Sequence, residues 1–282
     1  MLAFIFPGQG SQVKGMGGSL FDEYLEITQT ADEILGYSIK TLCLQDPEQK
    51  LNQTQFTQPA LFTVNALMYF KKLNETQIKP DIVAGHSLGE YNALLAANVF
   101  SFETGLTLVK KRGELMSQAK EGSMAAILGI NIDVIKKILD DNNLSNIAIA
   151  NYNSYTQTVI SGINTDIEAA GSLFKKIKEA AFFPLKVSGA FHSPYMQNAK
   201  QDFFEFIKNF TFNVPTLPVI ANCNALPYHP GVIHANLSNQ MTDAVQWTSI
   251  IECVNTYQNI NIEEMGPGNV LKGLLLKIAK GQ

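Results

Sequence analysis

Short apolar runs alternate with stretches of helical period along the whole chain, and their order predicts an α/β fold. The run at 3–6 is read as a strand, and it ends in the loop Pro7-Gly8-Gln9-Gly10-Ser11-Gln12. Helical patterns follow over 21–35, beside a turn at Gly36, and over 60–73, with Pro59 at the start. Pro80 precedes a second apolar strand, Ile82-Val83-Ala84, and residues 90–97 then read as a helix that gives way at Asn98. Residues 102–116 form an amphipathic helix with Leu106, Val109 and Gly113 on one side.

After Gly122 the texture changes. Strand patterns at 124–129, 147–151, 158–162 and 182–187 enclose helical patterns at 132–141 and 165–180. That order, β-α-β-β-α-β, is the split βαβ or ferredoxin-like arrangement. The chain then returns to a helix at 194–208, a strand at 217–221 and helices at 232–241 and 249–258. A strand at 260–265 leads through Gly266-Pro267-Gly268 to a last helix. The expected architecture is a large α/β-hydrolase-like domain, residues 1–123 and 188–282, with a small ferredoxin-like domain, residues 124–187, inserted in it. The edges of the insert lie beside the chemical candidates, which places the expected site in the cleft between the two.

Composition narrows the class. The 282 residues are 46% hydrophobic and 16% charged, which fits a globular chain with a large core. A net charge of −4 speaks against a nucleic-acid binder. No apolar run approaches the ~20 residues of a membrane span, and the N-terminus lacks the basic start of a signal peptide. Cys43, Cys223 and Cys253 are widely spaced and make no metal or disulfide pattern, which suits a reducing cytoplasm.

The candidate chemistry centres on Gly85-His86-Ser87-Leu88-Gly89. Strand, G-x-S-x-G and helix together are a nucleophile elbow. The turn is tight enough to demand glycines on both sides, and it exposes Ser87 at a helix N-terminus that favours developing negative charge. The alternative is a plain βα turn with a solvent-facing serine. A serine needs a base. His86 is expected to point away from Ser87, and His229 and His234 read as surface residues. His192, in Ser188-Gly189-Ala190-Phe191-His192-Ser193-Pro194, sits at a small-residue turn from which it can reach an elbow; a capping or core histidine is the competing reading. No acid stands on an obvious strand-end loop, so a Ser–His dyad oriented by a backbone carbonyl competes with a full triad. Leu88 is expected to give one oxyanion N–H, and the Gly8-Gln9-Gly10 loop is a candidate for the second. That loop lacks the Gly-Lys-Ser/Thr ending of a phosphate loop. Arg112, in Val109-Lys110-Lys111-Arg112-Gly113-Glu114, reads on its own first as part of a solvated basic face, with a functional role as the alternative.

Taken together, these segments resemble the malonyl-CoA:acyl-carrier-protein transacylase family over almost the whole chain. The resemblance rests on Phe6–Gln12, Thr57-Gln58-Pro59-Ala60-Leu61, Gly85–Tyr91, Arg112-Gly113-Glu114-Leu115-Met116, Phe191-His192-Ser193, Val245-Gln246-Trp247 and Glu264-Met265-Gly266-Pro267-Gly268. The stretches 35–40 and 54–60 look most like the stand-alone, trans-acting acyltransferases of modular polyketide synthases. Fatty-acid synthesis and acyl-carrier-protein acyl hydrolysis are the near alternatives.

The resemblance implies Ser87 as the acylated nucleophile, His192 as base and then acid, and the backbone carbonyl of Gln246 as the group that holds His192. It implies Gln9 and Leu88 as oxyanion donors and Arg112 as partner of the malonyl carboxylate. Asn222 is expected to bind substrate, and Phe191, with Leu88, to favour malonyl over methylmalonyl without excluding the latter. The partners would be malonyl-CoA and an acyl carrier protein, with no cofactor, no metal, no nucleic acid and no membrane, and with a monomer as the working unit. Lys71-Lys72, Lys110-Lys111, Lys136-Lys137 and Lys175-Lys176 are the candidate basic patches for an acidic carrier protein.

Overall fold

The computed structural model describes residues 1–119 and 122–282. Two four-stranded sheets organise them. The first is wholly parallel and is built from β1 (Leu2–Phe6), β2 (Ile82–Gly85), β7 (Val219–Ile220) and β8 (Asn261–Glu264), in the order β7-β2-β1-β8. β1 and β2 are buried along almost their whole length, as strands covered on both faces must be, which explains their unbroken apolar runs. In such a sheet the open crevice lies at the carboxyl ends of the strands.

The second sheet contains β3 (Gly122–Leu128), β4 (Ala148–Ser154), β5 (Gln157–Ile163) and β6 (Ala181–Pro184), antiparallel throughout in the order β4-β5-β3-β6. Side chains alternate along β3 with the period of two that strands impose. Ala125 and Ile127 pack with Ile135, Leu139, Ile167 and Phe174 from the helices Ile132–Asp141 and Asn164–Phe174. Met124 and Ala126 join the large core that contains Phe6, Leu88 and Phe191. The sheet therefore keeps one face on its own helices and turns the other toward the elbow. A bridge between Asn151 and Val245, with Tyr152 N–H donating to Val245 O at 2.9 Å, ties its edge to the segment before the helix Trp247–Asn255.

Several elements differ from the sequence reading. The helix expected at 60–73 runs Thr54–Thr76, with Pro59 inside it. A proline forbids only its own N–H bond and crowds one turn, and full burial of residues 57–67 outweighs that loss. The pattern at 21–35 splits into Leu20–Glu23 and Leu25–Leu35 at Tyr24; the Thr28 hydroxyl accepts the duty of the interrupted turn by donating to Phe21 O at 2.8 Å. The helix expected over 165–180 ends at Phe174. A short helix, Ile39–Leu44, capped by Ser38, was not anticipated. Among the described residues no helix is long and apolar enough to cross a membrane.

Candidate active site

Ser87 lies between the end of β2 and the helix Gly89–Ala96, with φ +50°. A left-handed backbone costs a non-glycine residue roughly 1–2 kcal/mol, so something must hold it. Asn222 does. Its Oδ1 accepts the Ser87 N–H at 2.6 Å, and its Nδ2 donates to Gly85 O at 2.6 Å. The flanking glycines answer to close approach: a Cβ on Gly85 would stand 2.0 Å from Gly89 O, and one on Gly89 would stand 2.0 Å from Phe6 O. The expectation of a substrate contact from Asn222 is corrected here. Both polar ends of its buried side chain are spent on the elbow backbone, and it does not line the cleft.

His192 also has a left-handed backbone, φ +56°, held by its N–H bond to Met241 O at 3.1 Å. Its Nε2 lies 2.8 Å from Ser87 Oγ and its Nδ1 2.7 Å from Gln240 O. A carbonyl can only accept, so Nδ1 carries the proton and Nε2 is bare in the neutral ring. Burial, seconded by the Arg112 charge, pushes the His192 imidazole down to about 3. The ring is thus a neutral acceptor facing the serine hydroxyl at neutral pH. The orienting carbonyl belongs to Gln240, not to Gln246 as expected. Gln246 caps the helix Trp247–Asn255, and its carbonyl accepts Ile250 N–H at 2.9 Å, which keeps it in the helix ladder.

Arg112 is far from the solvated face that its neighbours suggested: it is 1% exposed. The helix Phe102–Ser117 aims it inward. Nη1 donates to Gln58 Oε1 at 2.7 Å, and Nη2 donates to Gln240 Oε1 at 2.8 Å and to Ser87 Oγ at 3.2 Å. Its hydrogen-bond acceptors are thus neutral groups. The nearest acid, Glu90, is buried too, and burial pushes its carboxyl up to about 7 against the donors and the Arg112 charge that pull it down. A buried guanidinium with so little opposing charge is a strong site for an anionic ligand.

Sheet register brings the two expected oxyanion donors together. β1 and β2 pair Phe6 with Gly85, and Gln9 and Leu88 each lie three positions beyond that pair. Neither backbone N–H has a hydrogen-bond acceptor among the described residues. Gly8 lets the first loop touch the second, since a Cβ there would stand 2.3 Å from His86 O.

The cleft over Ser87 encloses about 480 Å³ of space open to solvent. Leu88 and Phe191 form part of its wall with Met124 and Leu185 from the second sheet's side. His86 also borders it, with Nε2 2.8 Å from Asn153 Oδ1 and its ring edge on Trp247 at 5.3 Å, so its partner is not the serine. His229 and His234 do not line it. Gln58, Glu90 and Gln240 were missed as site residues. Gln58 and Glu90 stand inside motifs already singled out, whereas nothing in Ser238-Asn239-Gln240-Met241 announces a role, because the decisive atom is a main-chain oxygen. Among the described residues no cluster of three or more His, Cys, Asp or Glu side chains could hold a metal ion. Of the basic pairs, Lys71, Lys72 and Lys137 already contact Glu23, Glu263 and Asp141.

The chain is similar over its whole length to known acyl transferases. Residues 3–268 match the family model described as the acyl transferase domain. The chain is 53% identical to the polyketide biosynthesis malonyl CoA-acyl carrier protein transacylase PksC of Bacillus subtilis strain 168, over 99% of this chain and 98% of that protein. It superposes with a TM-score of 0.96 on a malonyl CoA-acyl carrier protein transacylase of Burkholderia pseudomallei, at 45% identity, covering 100% of this chain and 99% of the other. A type II polyketide malonyl-transacylase solved in complex with its acyl-carrier protein gives a TM-score of 0.91 at 33% identity, covering 99% and 93%.

Proposed function

The chain belongs to the acyl transferase domain family, and from that premise we propose that it is a malonyl-CoA:acyl-carrier-protein S-malonyltransferase acting in trans in polyketide biosynthesis. Its partners are malonyl-CoA and the phosphopantetheine arm of an acyl carrier protein. The observation that carries the substrate class is Arg112: a buried cation, bonded to neutral groups, with one hand on the nucleophile.

We infer the following course. His192 Nε2 takes the proton of Ser87 Oγ–H as Oγ attacks the malonyl thioester carbon. The oxyanion accepts the N–H groups of Gln9 and Leu88, a contribution on the order of 3 kcal/mol per donor by analogy with side-chain donors. The Gln240 carbonyl holds the imidazolium through Nδ1–H. The C–S bond breaks, and His192 returns its proton to the departing CoA sulfur. The carrier thiol then repeats the sequence in reverse on the Ser87 ester. Throughout, Arg112 pairs with the free carboxylate, and Phe191 and Leu88 limit room beside the acyl α-carbon. These steps use only groups of this chain, its substrate and its carrier. Residues 124–187 would form a small ferredoxin-like domain beside the elbow, and the three free thiols suit a cytoplasmic setting.

Mass spectrometry of protein mixed with malonyl-CoA tests the reading. A malonyl ester on Ser87 that passes to holo carrier protein is expected. An adduct that survives Ser87→Ala, or release of malonate to water in place of transfer, would overturn it.

A further inference from the structure

Glu90 does none of the chemistry above, yet its side chain joins Asn222, which braces Ser87, to Gln240, which holds Arg112. It is 1% exposed. Oε1 accepts the backbone N–H of Asn222 at 2.8 Å and the Tyr228 hydroxyl at 3.0 Å. Oε2 accepts from Gln240 Nε2. Three donors therefore converge on one side chain, and only a group that accepts at both oxygens satisfies all three.

Gln240 transmits that choice. Its amide has two distinguishable ends, and the carboxylate claims the donor end. Nε2 is thereby turned to Glu90 and to Ser87 O, the latter at 2.8 Å, and Oε1 is left facing Arg112 Nη2 at 2.8 Å. With the amide reversed, an NH2 group would face the guanidinium, and a carbonyl oxygen would face Ser87 O. Both contacts would repel. We propose that Glu90 is a positioning residue for substrate selection: by fixing the polarity of the Gln240 amide it holds Arg112 where the carboxylate of a dicarboxylic acyl group must bind. The sequence of dependence is carboxylate, amide, guanidinium, ligand carboxylate, with donor and acceptor alternating at each step.

A role confined to structure would affect all acyl donors alike. A role in aiming Arg112 affects the donor with a second carboxylate and spares the one without it. Glu90→Gln is nearly isosteric and breaks the pattern in either orientation. If its carbonyl accepts from Asn222 N–H, its NH2 faces Gln240 and reverses that amide. If its carbonyl faces Gln240, its NH2 opposes the Asn222 N–H. Gln240→Met is a second variant that removes the amide and keeps the main-chain carbonyl on His192, so it tests the same relay without touching Glu90.

The inference rests on the malonyl-transfer reading, and the experiment separates the two. Second-order rate constants for acylation of Ser87 by malonyl-CoA and by acetyl-CoA are measured for the wild-type chain and both variants. A wild-type chain that malonylates no serine refutes the transferase reading itself. Given wild-type malonylation, a fall of about ten-fold or more in the malonyl-to-acetyl ratio is expected in each variant, the scale of one lost charge-assisted hydrogen bond. Should Glu90→Gln not fold, Gln240→Met decides. An unchanged ratio, whether both rates stay or both fall together, overturns the inference.

Discussion

Replacing Arg112 by Ala removes a cation whose Nη2 lies 3.2 Å from Ser87 Oγ. In the malonyl ester the carboxylate carbon stands only about 2.5 Å from the acyl carbon by standard bond lengths, within the reach of that guanidinium. A unit charge pair about 4 Å apart gains roughly 4 kcal/mol at an effective dielectric of about 20. Some of this is offset, because the guanidinium must share or release its bonds to Gln58 and Gln240, each with a net value of about 1 kcal/mol. The difference, about 2–3 kcal/mol, is a factor of about 30–150 in the rate of malonyl transfer to Ser87. The assay is a rapid-quench burst of free CoA, with malonyl-CoA and acetyl-CoA as donors in parallel. The malonyl burst should slow by that factor and the acetyl burst by far less. A thermal melt shows that the variant is folded, which matters because Gln58 Oε1 and Gln240 Oε1 lose their donor. Equal slowing of both donors, or an unaltered malonyl burst, would refute the role given to this arginine.

Other expectations follow from the same geometry. His192 is held neutral down to about 3, so acetyl-CoA acylation should be flat between about pH 5 and 8, and an inflection near 6.5 would contradict the burial argument. The sign for stability is fixed as well: a histidine with a depressed folded value contributes above about pH 6.5 and loses that contribution as pH falls toward 3. Unfolding free energies from denaturant titration should therefore drop on acidification by up to about 1.4 kcal/mol per pH unit more in the wild type than in His192→Gln. Asn222→Ala should lower the melting temperature and slow malonyl and acetyl donors together, since it braces the elbow; a selective rise in KM for malonyl-CoA would restore the substrate-contact reading. Phe191→Ala should shift kcat/KM toward methylmalonyl-CoA by about ten-fold or more, the worth of about one methyl group, and no shift would remove Phe191 from selection.

The elbow was legible because its demands are local. Glycine at 85 and 89, an apolar strand before and a helical period after are all consequences of one tight turn. His192 was legible for a similar reason, standing among small residues at a strand-to-helix turn. Arg112 was misread from its neighbours, because Lys110 and Lys111 do not share its side of the helix and only tertiary packing decides that Arg112 turns inward. Gln240 could not be read at all. What it lends His192 is a main-chain oxygen, which any residue carries, and the helix-capping Gln246 in a more conspicuous motif drew attention instead. In the fold, periodicity located the long helix but not its first turns, since Pro59 looked like a beginning while burial upstream continued it to Thr54. The break at Tyr24 has no glycine or proline to mark it.

The shared register of β1 and β2 reaches further than the sheet. The proposed oxyanion donors, Gln9 and Leu88, each lie three positions beyond the paired Phe6 and Gly85. No side chain supplies these N–H groups, so any substitution other than proline leaves them in place. Their vulnerability lies elsewhere, in the core residues that keep the two strands from slipping, such as Phe4 and Val83. A slip of one residue would move one donor by about 3.3 Å relative to the other. For anyone transplanting or redesigning this site, the loops are the portable part and the strand alignment is the inheritance that must travel with them.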